Sequence, residues 1–155
     1  PQAAKKMMNS FHEKVPFMKG MLNAVMNRAN EKGIIRTLLG RKCRFELWEP
    51  SSFGVHKALP LNQAQTEYGM AIKRAFTYKA LNRLIQGSAA DQTKKAMVDV
   101  YENLGITPLI QVHDELDCSI KDEKQGKQIK EIMETCVDLE VPSKVDINIG
   151  EIWGG

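Results

Sequence analysis

The string Gln111-Val-His-Asp-Glu-Leu116 sets two carboxylates and an imidazole side by side in a stretch that otherwise alternates apolar and polar residues. Asp114 shares the parity of the apolar positions Ile110, Val112 and Leu116, yet it falls where a hairpin would have to turn. A tight turn exposes such a carboxylate while the flanking strands fix its direction. Hard cations such as Mg²⁺ take oxygen ligands of this kind, held rigidly, with room left for water and phosphate oxygens. Glu115 is a second carboxylate, although neighbouring strand residues point to opposite faces. Aspartate is also a common turn residue in its own right, so the string alone admits a metal ligand or an ordinary turn.

Two further groupings could act on a polyanion. Asn82 and Gln86 stand four residues apart, so on a helix their amides project from one face. Amide donors suit the minor groove, where every Watson–Crick pair offers acceptors, and could test the shape of a pair without reading its identity. Two polar residues on a wet helix face would look the same, but the adjoining Gly87-Ser88-Ala89-Ala90 would let a bulky partner approach closely. Arg36, Arg41, Lys42 and Arg44 crowd around Gly40. Arginines there could grip phosphates, or simply form a charged exposed turn.

The 155 residues suffice for one domain or one lobe of a larger assembly. With 43% hydrophobic and 26% charged residues, the chain can bury a core and is no disordered tail. No apolar run approaches the roughly 18 residues of a membrane span, and the first residues lack the pattern of a signal peptide; neither membrane insertion nor secretion is expected. Cys43, Cys118 and Cys136 are far apart and outside metal-ligand spacing, as reduced intracellular thiols would be. The net charge of +3 conceals a division: residues 1–96 carry 17 basic and 6 acidic side chains, net +11, and residues 97–155 carry 5 and 13, net −8. A polyanion-binding half beside a cation-holding half would show this asymmetry, as would an unevenly charged solvated surface.

These residues need elements to position them. Phe17, Met18, Met21, Leu22, Val25 and Met26 predict an amphipathic helix that starts at Pro16 and stops at Gly33. Residues 34–48 read as a hairpin turning near Gly40. From Glu49 to Asn62, Pro50, Ser51, Ser52, Gly54 and Pro60 interrupt any period, predicting an exposed excursion. Leu81, Leu84, Ile85, Ala96, Met97, Val100, Tyr101 and Leu104 fit one face of a long helix closed by Gly105. Period-two alternation over 110–120 predicts the hairpin with its turn at His113-Asp114. A charged helix over about 123–138 follows, then a final strand at Val145, Ile147 and Ile149. The fold class is α+β.

Taken together, Thr37-Leu-Leu-Gly-Arg41 with Arg44, Asn82-Arg-Leu-Ile-Gln86-Gly-Ser-Ala-Ala-Asp91 and Gln111-Val-His-Asp-Glu115 resemble, in order and approximate separation, the C-terminal part of family A DNA polymerases. The terminal Gly150-Glu-Ile-Trp153 is similar to that family's ending, and the resemblance runs from about Phe11 onward. It implies a partial right-hand fold: a small antiparallel palm sheet packed by helices, without the motif A strand and thumb. Residues 1–48 would be the end of the fingers helices with the basic hairpin, 49–68 a loop insertion, and 69–155 the palm segment with the motif C hairpin.

The resemblance also implies roles. Asp114 would be a catalytic ligand of two Mg²⁺ ions, shared with a motif A carboxylate absent from this chain, and Glu115 the accompanying acid. His113 would lie against the primer terminus, Asn82 and Gln86 against the primer–template minor groove, and Thr37, Arg41 and Arg44 near the nascent duplex. The implied activity is DNA-directed DNA polymerisation, with primer–template DNA and dNTPs as partners. An N-terminal polymerase piece would have to supply motifs A and B, in the cytoplasm of a bacterium or phage-infected host cell. Rival readings of the same residues are a non-catalytic nucleic-acid-binding module using the +11 half, a metal-dependent nuclease using Asp114, Glu115 and Asp117, and a purely structural fragment.

Overall fold

The structure, a computed structural model, describes residues 2–52, 54 and 56–152, which divide into two compact units between Gln86 and Gly87. Trp153, part of the ending noted above, lies outside the described residues. In the first unit, helix α1 (Gln2–Lys14) buries no residue, and sequence analysis assigned no element there. Helix α2 (Phe17–Lys32) occupies the expected span. Gly33 ends it in the left-handed conformation, φ 66°, with its N–H on the Ala29 carbonyl at 3.0 Å.

Strands β1 (Ile34–Arg36) and β2 (Lys42–Arg44) form the basic hairpin, with Ile35 opposite Cys43 and Arg36 opposite Lys42. Ile35 and Phe45 pack with Ala29 and Ala80 as the buried cluster of this unit, against Val25, Cys43 and Leu84. The hairpin is thereby anchored on α2 by its apolar side while its arginines face out.

The stretch expected to be an exposed excursion is only partly so. Strand β3 (Leu47–Pro50) is the middle of a three-stranded antiparallel sheet, between β4 (Leu59–Pro60) and β5 (Ile72–Arg74). Helix α3 (Leu61–Tyr68) starts directly after Pro60. Strands of two to four residues, two of them ending in proline, carry no readable period, so the sequence pattern shows only a loop. Arg74 ties these pieces together. Its guanidinium donates to the carbonyls of Asn30 (3.1 Å) and Phe45 (2.9 Å) and lies 4.5 Å from the Trp48 ring centroid. A Cβ on Gly33 would come within 2.7 Å of that guanidinium carbon.

A single 3₁₀ turn (Thr77–Lys79) leads into helix α4 (Ala80–Leu104), whose first residues belong to the first unit and whose remainder belongs to the second. Gly105, φ 67°, closes it as expected. Leu81, Ala96 and Val100 are buried, but Ile85 is 50% and Tyr101 59% exposed, so the apolar face is narrower than its spacing suggests.

In the second unit, β6 (Ile110–Val112) and β7 (Glu115–Asp117) make a two-stranded antiparallel hairpin, shorter than the alternation over 110–120 implied. Helix α5 (Glu123–Thr135) is capped by Asp122, whose carboxylate accepts from the Gln125 N–H at 2.8 Å. The final strand is not formed: 143–150 has no regular secondary structure and no ladder partners. Its polar groups are engaged elsewhere, Val145 N–H donating to the Glu134 carboxylate (2.9 Å) and the Gln92 amide to the Ser143 hydroxyl (2.8 Å). Ile149 reaches over Gly126, where a Cβ would meet its Cδ1 at 3.3 Å. Side-chain capture thus replaces strand pairing.

Candidate active site and nucleic-acid interface

The amide pair of the first unit is presented as its spacing requires. Asn82 and Gln86 are exposed, one turn apart on α4, while Leu81 and Leu84 of the same turns pack inward. Basic side chains flank them: Arg83 lies 4.9 Å over the Phe45 ring, and the Lys79 ammonium lies 5.2 and 5.5 Å from the rings of Phe76 and Tyr78. These aromatic contacts hold the cationic stems against the surface while leaving charge available.

The basic hairpin has an internal architecture. Thr37 is buried, and its hydroxyl donates to the Arg41 carbonyl at 3.3 Å, so this side chain staples the turn. Arg36 donates to the Gly40 carbonyl at 3.0 Å. Arg41, Lys42 and Arg44 are exposed, Arg44 within 3.8 Å of Glu46. An exposed pair of this length is weak and readily exchanged for a phosphate.

In the second unit, His113 and Asp114 form the two-residue connection between Val112 and Glu115, which face each other across the ladder. His113, Asp114 and Glu115 are all exposed. His113 has a positive φ of 52°, a position usually given to glycine in such turns, at a cost of roughly 1–2 kcal/mol for other residues. The side-chain amide of Gln111, two residues upstream, donates to the His113 carbonyl. Sequence analysis quoted Gln111 within the motif without assigning it a role; its place one ladder pair behind the turn was the available signal.

Asp117 is half-buried, and its Oδ2 is shielded from solvent without a hydrogen-bond partner. Burial, followed by the charge of Asp117, pushes the neighbouring Cys118 thiol up. Among the described residues, no three His, Cys, Asp or Glu side chains converge as a metal cage would require. The second unit thus offers two adjacent exposed carboxylates at a hairpin apex, and the first unit by itself an exposed amide pair on α4.

The model of DNA polymerase family A matches residues 1–155, and the chain belongs to that family. It is 42% identical to the DNA-directed DNA polymerase of Pseudomonas phage M6 over 96% of this chain and 19% of that protein. It is 32% identical to DNA polymerase I of Bacillus caldotenax over 97% of this chain and 16% of that protein. A solved structure, the POL domain of Pol1 from M. smegmatis in complex with DNA primer-template and dNTP, matches with a TM-score of 0.67 and 28% identity, over 91% of this chain and 23% of that one. The chain therefore spans less than a fifth of the length of these two polymerases. The α+β class and the partial polymerase fold expected from the sequence agree with this likeness. No helix among the described residues is long and apolar enough to cross a membrane.

Proposed function

We propose that this chain is the C-terminal palm part of a DNA-directed DNA polymerase, acting in template-directed nucleotidyl transfer to a primer 3′-hydroxyl. The observation that carries the reading is the presentation of Asp114-Glu115 at a hairpin apex in a chain matched over its whole length by the polymerase family. In this reading 1–48 ends the fingers, 49–68 is an insertion and 69–155 is palm. Asn82 and Gln86 donate into the primer–template minor groove, His113 lies at the primer terminus, and Arg41 and Arg44 contact backbone phosphates near a turn stapled by Thr37. The primer-template DNA and dNTP in complex with the M. smegmatis domain support DNA and nucleotides as the partners here.

Asp114 fits Mg²⁺ as one hard, exposed oxygen ligand with Glu115 beside it, but the absence of a three-residue cluster among the described residues leaves the donor set incomplete. Mg²⁺ bound there would lower the pKa of the primer hydroxyl and neutralise the triphosphate. The chain's own contribution is to aim Asp114, to hold the duplex through α4 and to neutralise phosphates through the hairpin. The remaining carboxylate and the nucleotide-holding helix come from an N-terminal polymerase portion carrying motifs A and B. Work in the cytoplasm of a bacterium or phage-infected cell suits such a polymerase, as the phage M6 relative suggests.

The test is a chimaera in which this chain replaces the matching segment of the phage M6 polymerase. Primer extension by the chimaera, lost in Asp114→Ala, supports the reading. Extension that survives Asp114→Ala, or robust extension by the 155 residues alone, overturns it. Salt-sensitive DNA binding indifferent to Mg²⁺ and to Asp114, with no extension by the chimaera, would mark a binding module instead.

A further inference from the structure

The side chains to either side of Asn82 and Gln86 on α4 are unlike. At about 100° per residue, Lys79 and Arg83 fall on one flank of the amide pair and Tyr78 and Ile85 on the other. Ala80, Leu81 and Leu84 occupy the opposite side and pack inward.

The cationic flank is braced. Phe76 adopts φ 62°, a strained conformation for a residue other than glycine, and its carbonyl accepts the Lys79 N–H at 3.0 Å. This turn keeps the Lys79 ammonium 5.2 and 5.5 Å from the Phe76 and Tyr78 rings while the lysine stays exposed. Arg83 is half-buried over the ring of Phe45, the residue that follows Arg44, so the basic hairpin meets α4 on this same flank. The other flank is apolar and open, with Tyr78 62% and Ile85 50% exposed. No Asp or Glu occurs from Thr77 to Gln86, and residues 1–86 carry 15 basic and 5 acidic side chains, net +10.

A minor groove presents acceptors on its floor, between sugars and the phosphates of two strands. A row of amides with cations on one side and apolar groups on the other matches it asymmetrically. We propose that Lys79 and Arg83 are phosphate-binding residues that hold one strand of the duplex, while Tyr78 and Ile85 rest on the sugars of the other. The inference deepens the reading of Asn82 and Gln86 as minor-groove donors and rests on it.

The experiment is a titration of a short fluorescein-labelled DNA duplex with the 155-residue chain, without Mg²⁺, read by anisotropy at several salt concentrations. Lys79→Gln and Arg83→Gln should each lower the slope of log K against log[salt] by about 0.9, weakening binding about 8-fold near 0.1 M salt. Arg83→Lys keeps the charge and should keep the slope. Ile85→Lys places a cation against the second backbone and should raise the slope by about 0.9. Tyr78→Ala should weaken binding at every salt concentration with the slope unchanged. Lys5→Gln, at an exposed lysine of α1, should bind as wild type. These positions are exposed or half-buried, and circular dichroism checks that each variant keeps the fold.

Unchanged slopes in Lys79→Gln and Arg83→Gln, or an equal fall in Lys5→Gln, overturn the phosphate assignment. No rise in Ile85→Lys overturns the one-strand arrangement. Because Asp114 and Mg²⁺ take no part in the titration, its failure leaves the Asp114→Ala extension test standing, and failure of that test leaves the slopes to decide this surface.

Discussion

Replacing Gly33 by alanine should destabilise the first unit through two separable causes. Its φ of 66° costs an L-residue about 1–2 kcal/mol. In addition, the new Cβ would lie 2.7 Å from the Arg74 guanidinium carbon, the far end of a flexible side chain, so that group must shift. The shift strains its bonds to the carbonyls of Asn30 and Phe45, and loss of one of them costs about 1.5 kcal/mol net for a charged donor. The expected loss is about 2.5–3.5 kcal/mol from the sum of these contributions. In an Arg74→Ala background the collision vanishes, and Gly33→Ala should cost only the backbone part, about 1–2 kcal/mol. Urea unfolding of the four proteins, followed by circular dichroism with unchanged slope, gives the coupling, expected at about 1.5 kcal/mol with the double variant less destabilised than the sum. Additivity within about 0.5 kcal/mol would refute the collision.

Three further outcomes can be checked on the same chain. Asp122→Ala should lower α5 stability by about 1 kcal/mol, seen as a drop in Tm, because the Gln125 N–H loses its acceptor. The Lys95 ammonium is 2.6 Å from Asp99, and that hydrogen bond, chiefly, raises its pKa above 10.5. The resulting stabilisation is fully present below pH 10.5 and lost as pH rises through the folded value, so the Tm gap between wild type and Asp99→Asn should narrow in strong alkali. Cys118 and Cys136 should react with iodoacetamide more slowly than a free cysteine. Burial raises both thiols, with secondary help from Asp117 and Asp99 respectively, and mass spectrometry of the modified chain reads the rates.

Elements with strong periods and clear punctuation are legible in the sequence. The Pro16–Gly33 bracket gave α2, Gly40 the basic hairpin, Gly105 the end of α4, and the alternation about His113-Asp114 the second hairpin, although a two-residue connection reverses parity and puts Leu116 opposite Gln111, on the other face from Ile110 and Val112. Less was legible where length was short or capture was by side chains. The β4–β3–β5 sheet uses strands too brief to show alternation, and Val145–Ile149 has strand-like alternation but is held by Glu134 and by contact at Gly126. Helix α1 carries Met7, Met8 and Phe11 at helical spacing, yet they are exposed, so no burial confirms their pattern. The exposure of Asn82, Gln86 and Asp114 follows from local spacing and turn position. The bond from the Gln111 amide to the His113 carbonyl does not, since a side chain reaching along its own strand leaves no periodic trace.

Two of the loops that join paired strands differ in how they would tolerate lengthening. Between Val112 and Glu115 only two residues intervene, and adding one would swap which faces the following side chains occupy, taking Leu116 off the face it shares with Gln111 and Asp117 off the face it shares with Ile110. Between Pro50 and Leu59 the connection is long, exposed at Ser51, Ser52 and Gly54, and extra residues there cost only the slow logarithm of loop closure. An epitope or fluorophore tag therefore belongs after Ser52, where the β3–β4 pairing can persist around it, and never at the acidic apex.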